Sequence, residues 1–308
     1  MLLALTSLAA VAGSGPWVVG EGNTSVYVGG ETQRLSRLAI TVDGERSVVD
    51  VGEGISSFGL KGIVTVGLTP HVELEGVLPW WRVQANRPDA TLCGDIGLGA
   101  CRTTTTVGVL EFRAKVLLLD ELFGAPLSLA IGPEVRAGDF TLNTRERLTN
   151  AGEGGLDTGG FVSIGRTGSL RRGGYWSGFL DLLGRYRFPN TRTFPGLEGT
   201  LAVPGPEVGA NAEYVIGNRR VVVGPVATVL WRITGRDWGD IDLTDPDRFA
   251  ALRVFNARVG ATAVVRGAKS FSASLTVLRT VAARNNPSDV FSISAGLQTL
   301  VQRRRDDG

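Results

Sequence analysis

Apolar and polar residues alternate strictly along most of this chain, and residues 62–81 show the pattern most clearly. After a tight turn at Thr69 and Pro70, the apolar residues fall on one face of the segment, and His71, Glu73 and Glu75 fall on the other. Because successive side chains of a β-strand point to opposite faces, this alternation predicts a strand with one apolar and one polar face. Segments of the same kind repeat along almost the whole chain.

The alternation predicts twelve such strands, separated by connections that are alternately long and short: residues 24–34, 54–67, 72–84, 106–119, 125–139, 156–167, 173–187, 204–216, 219–234, 250–266, 270–283 and 288–301. Short periplasmic turns, longer extracellular loops, a lipid-facing apolar face and a lumen-facing polar face are typical of outer-membrane barrels. The sequence therefore predicts an all-β fold, a transmembrane antiparallel β-barrel of about 12 strands, with both chain ends on the periplasmic side.

Aromatic residues near the ends of the predicted strands support this topology. They fall in two groups, Trp80, Tyr186 and Trp231 at the outer ends and Trp176, Tyr214 and Phe271 at the inner ends. Two aromatic belts are expected where strands cross the two lipid interfaces. The alternative is a large secreted β-sandwich or a soluble barrel, which would not need loops of different length at its two ends.

Composition narrows the possible partners. The chain has 308 residues, 43% of them hydrophobic and 20% charged, with a formal net charge of +2. A balance so close to zero gives no reason to expect a nucleic acid partner. No apolar run is long enough for a transmembrane helix, so a membrane location requires strands. We expect one barrel domain, residues 13–308, with outer-membrane lipid and a small solute as its partners.

The first residues form an apolar run that closes on Ala10-Val11-Ala12, a small-x-small cleavage signal. This pattern predicts a secretory signal peptide over residues 1–12, although no Lys or Arg precedes the apolar run. The alternative is a buried first helix.

Cys93 and Cys101 lie in the same predicted loop. In an exported protein this arrangement predicts a disulfide between them, the alternative being two unpaired thiols.

Candidate chemistry is sparse. The one histidine, His71, lies at a predicted periplasmic turn, the wrong end for a Ser-His hydrolase that acts on the outer leaflet. The acidic run in the loop 235–249 offers oxygen ligands for Ca²⁺, but it lacks the glycine and the terminal glutamate of an EF-hand, so a solvated loop is the alternative. The glycines at 152–155 do not form a phosphate-binding motif. We therefore predict no enzyme, no catalytic residue, no cofactor and no metal site.

The polar faces of the predicted strands carry charges of both signs. The residues predicted to line the lumen are Lys61, Glu73, Glu75, Glu111, Arg113, Lys115, Glu134, Arg136, Asp181, Arg185, Arg187, Glu213 and Arg258. Charges inside a barrel must be paired or hydrated, so mixed signs on adjacent strands predict ion pairs across a partly wet interior. The alternative is purely structural, as in eight-stranded barrels that fill their lumens with side chains.

The glycine-rich amphipathic hairpins, the segment GLTPHVELEGVLPWW and the ending SDVFSISAGLQ resemble small outer-membrane transporters related to the FadL-like and phenol meta-pathway channel proteins of Gram-negative bacteria. This resemblance implies a bacterial outer-membrane location and passive uptake of small, often hydrophobic, molecules. The chain departs from the long-chain fatty-acid transporters because residues 13–23 are too few for their N-terminal plug. The alternative function is a non-conducting structural or adhesive outer-membrane barrel that acts through its extracellular loops.

Overall fold

The structure is a computed structural model that describes residues 14–85, 104–138, 156–189, 205–237, 252–267 and 270–302. The predicted signal peptide and both cysteines, Cys93 and Cys101, lie outside these residues. Among the residues described, no helix is long and apolar enough to cross a membrane.

Within these ranges all strands belong to one antiparallel sheet: β1 (Thr24–Val42), β2 (Glu45–Thr69), β3 (Val72–Ala85), β4 (Thr104–Val107), β5 (Leu110–Leu119), β6 (Ser128–Ala137), β7 (Leu156–Leu170), β8 (Gly174–Arg187), β9 (Glu207–Gly217), β10 (Val221–Arg232), β11 (Phe255–Arg266), β12 (Phe271–Arg284), β13 (Asn286–Pro287) and β14 (Phe291–Val301). Since β4 and β5 both pair with β3, they share one position in the barrel. The two-residue β13 only extends the pairing of β1. The described chain therefore forms twelve barrel strands, as predicted.

The sheet closes on itself through β1. Val28 lies opposite Gly62 of β2 on one side and opposite Leu297 of β14 on the other. From β2 each barrel strand pairs with the next around the ring to β14. In a closed sheet the backbone N–H and C=O groups of every strand find hydrogen-bond partners on neighbouring strands. A sheet in lipid needs such closure because no water can solvate an open edge there.

The exterior of the barrel is apolar and its interior is polar. Leu78, Phe112 and Leu297 are more than half exposed on the outer surface, whereas Glu73 and Glu134 are buried inside. A water-soluble protein has the opposite arrangement, with most apolar side chains inside and most charged side chains on its surface. Together with the closed sheet it confirms the predicted outer-membrane β-barrel.

Tight turns connect the strands at one end of the barrel. They include the Pro70–His71 turn and the 3-10 turns Glu121–Phe123 and Arg171–Gly173. Thr24 of β1 and Val301 of β14 lie opposite each other at this same end. We call this the periplasmic end and the other the extracellular end, following the sidedness of outer-membrane barrels.

One predicted connection is wrong. Residues 35–53 were expected to form a loop, but β1 continues to Val42 and β2 begins at Glu45. The turn between them, Asp43-Gly44, has positive φ at both residues (51° and 81°), which matches the right-handed twist of a two-residue hairpin. The pairing of β1 with β14 ends at Arg34 and its pairing with β13 ends at Ala39, so the tip of this β1–β2 hairpin projects from the extracellular end.

Candidate functional site: the barrel lumen

The lumen contains every charged residue that the sequence predicted to face it. Their side chains lie on the inward faces of β2, β3, β5, β6, β8, β9 and β11, in alternation with exposed apolar residues: Lys61, Glu73, Glu75, Glu111, Arg113, Lys115, Glu134, Arg136, Asp181, Arg185, Arg187, Glu213 and Arg258. Their role in conduction stays a prediction.

Ten inward-facing charges form a continuous network, which we call the ion-pair belt: Glu75, Glu111, Arg113, Glu134, Arg136, Asp157, Arg185, Arg187, Glu207 and Arg232. The belt spans seven adjacent barrel strands, from β3 to β10. Its centre is Arg113, whose Nη2 lies 2.7 Å from Glu111 Oε1 and whose Nε lies 2.7 Å from Glu134 Oε2.

The belt continues from Glu134 toward the extracellular end. Arg185 contacts Glu134 through its Nε, and its Nη1 lies 2.8 Å from Glu207 Oε1. Arg136 Nε lies 3.4 Å from Glu111 Oε2. At the margins of the belt, Arg187 lies 3.6 Å from Asp157 and Arg232 lies 3.6 Å from Glu207.

Strand register explains why these charges meet. Arg113 lies directly opposite Glu134, and Arg136 lies opposite both Glu111 and Asp157. Opposite charges at facing positions of antiparallel strands attract one another, and here most of the paired side chains are buried. Alternation within each strand therefore supplies the charges, and the register between strands brings them together.

Three belt residues were not among the predicted lumen residues: Asp157, Glu207 and Arg232. The alternation signal for each was present. Arg232 lies between the outward-facing Trp231 and Ile233, which are 45% and 41% exposed, so its own side chain must point inward.

Six predicted lumen residues stand outside the belt: Lys61, Glu73, Lys115, Asp181, Glu213 and Arg258. Lys61 and Glu213 form no ion pair within 4 Å with any residue that the structure describes. Asp181 instead accepts hydrogen bonds from the Ser163 hydroxyl and from the backbone N–H of Gly15.

The segment of residues 14–23, here called the N-terminal segment, crosses the periplasmic end of the lumen. Near its C-terminal end, Gly22 N–H donates to Gly67 O of β2 at 2.9 Å. Near its N-terminal end, Gly15 N–H donates to Asp181 of β8 at 3.3 Å. Because β2 and β8 lie on nearly opposite sides of the ring, the segment spans the barrel.

Lumen side chains hold the middle of this segment. Glu73 accepts a hydrogen bond from Val19 N–H at 2.9 Å, and Lys115 Nζ donates to Trp17 O at 3.2 Å. Lys115 and Glu73 are themselves paired at 2.8 Å. The Trp17 ring lies edge-on to Phe179, with centroids 6.2 Å apart.

Residues 14–23 are too few for a folded plug, yet they reach across the lumen. An extended chain covers about 3.3 Å per residue, so residues 14–23 reach roughly 30 Å, enough to cross a twelve-stranded barrel without a folded plug. No local pattern in residues 14–23 indicates this placement, because it depends on charges supplied by distant strands.

The wall opposite the belt is polar and carries few charges, Arg258 of β11 and Glu31 of β1 being two of them. Strands β11, β12, β14 and β1 present hydroxyl and amide side chains to the interior: Thr262, Thr276, Thr280, Ser292, Ser25 and Gln33. The Thr262 and Thr276 hydroxyls are hydrogen bonded at 2.9 Å. The lumen thus has one charged wall and one hydroxyl-lined wall.

Features that could support catalysis or metal binding are few. Within the described ranges, no group of three or more His, Cys, Asp or Glu side chains could hold a metal ion. His71 is exposed at its periplasmic turn, beside the ring of Phe123. Most of the acidic run 237–247 lies outside the described residues, but Asp237 is described and pairs with Arg284 at 2.8 Å. The predicted lack of an enzymatic activity stays a prediction.

Solved structures share this architecture. The chain superposes on the COG4313 outer membrane channel from Pseudomonas putida F1 with a TM-score of 0.67, covering 95% of this chain and 99% of that chain at 15% sequence identity. For the transport unit of the autotransporter AIDA-I from Escherichia coli the TM-score is 0.47, with 98% and 95% of the two chains covered at 8% identity. For the beta domain of the Bordetella autotransporter BrkA it is 0.46, with 91% and 99% covered at 10% identity.

No protein-family model matches the chain, and no curated protein matches it. At 15% identity the first superposition shows the fold alone. That fold is an outer-membrane β-barrel, as the resemblance in the sequence implied.

Proposed function

We propose that this protein is an outer-membrane channel through which small solutes pass by diffusion. The observation that carries the proposal is the way the lumen is closed. The N-terminal segment crosses the periplasmic end and is attached to lumen side chains by single hydrogen bonds, such as those to Glu73 and Asp181. The N-terminal segment can leave the lumen without the loss of any barrel strand, because the strands form the wall and the segment is not one of them. The fold shared with the COG4313 outer membrane channel supports the same assignment.

The lumen favours uncharged solutes. The belt contains five arginines and five carboxylates, which neutralise one another. A constriction without a net charge discriminates by size first and only weakly by ionic sign. The hydroxyl-lined wall offers an uncharged surface beside it. Small uncharged molecules, including the hydrophobic molecules that the resemblance implies, are therefore the proposed solutes.

Swelling of proteoliposomes tests the proposal. Purified protein is reconstituted in liposomes, and the rate of swelling is measured in isosmotic solutions of uncharged solutes of increasing size. We expect rates that fall steeply with solute size and that rise for every solute when Glu73→Gln and Lys115→Met loosen the N-terminal segment. Swelling no faster than that of empty liposomes, with both the native chain and this variant, would refute the channel function.

A second candidate is a non-conducting structural or adhesive barrel. The projecting β1–β2 hairpin favours it, because strands of 19 and 25 residues are much longer than a membrane crossing needs. Replacing residues 40–47 by a short turn removes the projecting tip and leaves the barrel strands intact. Loss of cell adhesion with unchanged swelling rates would assign the function to the hairpin.

A further inference from the structure

Arginines on the lipid-facing surface are concentrated on one side of the barrel. Near the extracellular end, exposed arginines include Arg82 of β3, Arg34 of β1 and Arg279 of β12, and we call these three the arginine arc. The strands β3, β2, β1, β14 and β12 are consecutive around the ring, so the three arginines share one face. On the extracellular half of strands β5 to β11, no described outward-facing residue is an arginine or lysine.

Strand register places two of these arginines on either side of one aromatic residue. Arg34 lies opposite Phe291, and Phe291 lies opposite Arg279. Two strand intervals separate the arginines, so their Cα atoms are about 10 Å apart. The next row toward the periplasm contains Thr32, Ile293 and Val277, so the arginines lie where the apolar surface ends.

The described residues supply no anion to these arginines. Arg34, Arg82 and Arg279 are exposed, and none has a carboxylate within 4 Å among the residues described. The nearby Asp289 is engaged by the backbone N–H groups of Ser36 and Arg37, at 3.0 and 2.9 Å. Exposed guanidinium groups at the edge of lipid are available to an external anion, to which they donate charge-assisted hydrogen bonds.

We propose that the arginine arc binds the phosphorylated head group of an outer-leaflet lipid. A guanidinium group donates two parallel hydrogen bonds to phosphate, and two such groups about 10 Å apart suit a head group with more than one phosphate. Phe291 is 46% exposed between them and offers a ring against which the upper part of an acyl chain packs. The arginines adjoin the apolar surface of the barrel. A lipid would contact both the arginines and that surface, whereas a soluble phosphate would contact the arginines alone.

Native mass spectrometry of the folded protein in mild detergent tests this proposal, with bis-phosphorylated lipid A as the probe. We expect the variant Arg34→Gln/Arg279→Gln to bind lipid A at least about tenfold more weakly, because each lost charged hydrogen bond to phosphate is worth more than a neutral one. The matched control is Arg166→Gln/Arg171→Gln, which removes two exposed arginines at the periplasmic end and should leave the affinity unchanged.

Two further arms separate the possible anions. Lipid A stripped of its phosphates should bind no more tightly to the native protein than to the arc variant, and inorganic phosphate should not displace intact lipid A. Equal affinity of the native protein and the arc variant for lipid A would overturn the proposal. Displacement by inorganic phosphate would overturn it too, because the site would then be one for the free anion. Heat-modifiable mobility verifies that each variant is folded, and the two single Arg→Gln variants replace the double one if it is not.

Discussion

At the scale of single residues, the lumen is specified by pairs of side chains at facing strand positions. Arg185 shows this most clearly, because it contacts Glu134 and lies 2.8 Å from Glu207 while being itself buried. Replacing a buried ion pair by apolar residues is often harmless, but removing one partner leaves a charge with neither water nor counterion. The belt therefore makes each of its members costly to change one at a time.

The variant Arg185→Met tests this reasoning. It leaves Glu134 and Glu207 without their nearest shared cation, so we expect a loss of about 3–5 kcal/mol in the free energy of unfolding. Urea unfolding of the protein in lipid vesicles, followed by the loss of heat-modifiable mobility, gives the value. The control Arg166→Met changes an exposed arginine and should stay within about 0.5 kcal/mol of the native chain. Equal values for the two variants would show that the belt is hydrated rather than dry.

A second residue-scale prediction concerns Tyr27, a buried aromatic residue of the lumen wall. Its ring lies over Gly296, where an added Cβ would come within 2.1 Å of the Tyr27 hydroxyl oxygen. Gly296→Ala should therefore destabilise the barrel by about 1–3 kcal/mol through overpacking. Gly184, whose added Cβ would meet nothing within 4 Å, provides the control. In a double-mutant cycle with Tyr27→Ala the extra cost of Gly296→Ala should disappear, and persistence of the full cost would exclude the ring as its cause.

At the scale of elements, local alternation predicted the strands and faces well and failed where structure depends on distant contacts. The inward position of Arg113 or Glu134 follows from the nonpolar residues immediately before and after it, because side chains alternate between the two faces of a strand. The hairpin turn Asp43-Gly44 was also visible in the sequence, but the polar residues around it predicted a loop instead. The path of the N-terminal segment could not be predicted, because Glu73, Lys115 and Asp181 become its partners only after the barrel closes.

The projecting hairpin is attached to the barrel through a small polar cluster. Asn285 accepts a hydrogen bond from Thr41 N–H at 2.8 Å and donates one to Asp237 at 2.9 Å. Partial burial raises the pKa of Asp237, but the hydrogen bonds from Arg284 and Asn285 outweigh it and hold the pKa below the ordinary 3.8. A carboxyl group with a lowered pKa stabilises the folded form above its ordinary pKa, and that contribution is lost as the pH falls through the lowered value.

We therefore expect acid to loosen the hairpin before it affects the barrel. The protection of the Thr41 amide from hydrogen exchange, corrected for the intrinsic rate, should fall as the pH is lowered below 3.8. The variant Asp237→Asn should show the reduced protection at every pH. Protection that is independent of pH in the native chain would remove Asp237 from the attachment.

The N-terminal segment gives a further prediction at this scale. Glu73→Gln combined with Lys115→Met removes the pair that holds Val19 and Trp17 in the lumen. Chymotrypsin added to the periplasmic face should then cleave after Trp17 at a faster rate, measured by mass spectrometry of the products. The control Lys61→Met also removes a lumen lysine, but Lys61 has no described contact with the segment. Equal cleavage rates for both variants would mean that the pair does not retain the segment.

At the scale of the whole molecule, the barrel combines a neutral belt on one wall, hydroxyl groups on the other and a separate closing segment at the periplasmic end. The belt carries equal numbers of arginines and carboxylates, and the N-terminal segment crosses the lumen at its periplasmic end. The lipid-facing surface is asymmetric as well, with its extracellular arginines on the strands that flank the β1–β2 hairpin. Charged and hydroxyl groups therefore face the interior, whereas apolar residues and the arginine arc face the exterior.

Single-channel recording in planar bilayers tests the central claim most directly. We predict that the native protein gives small and infrequent current steps, and that Glu73→Gln/Lys115→Met gives larger or longer ones with a reversal potential close to zero in asymmetric KCl, because the belt carries no net charge. The control Lys61→Met should behave like the native protein. An absence of current steps from both the native protein and the double variant, in preparations shown to be folded and inserted, would contradict the account.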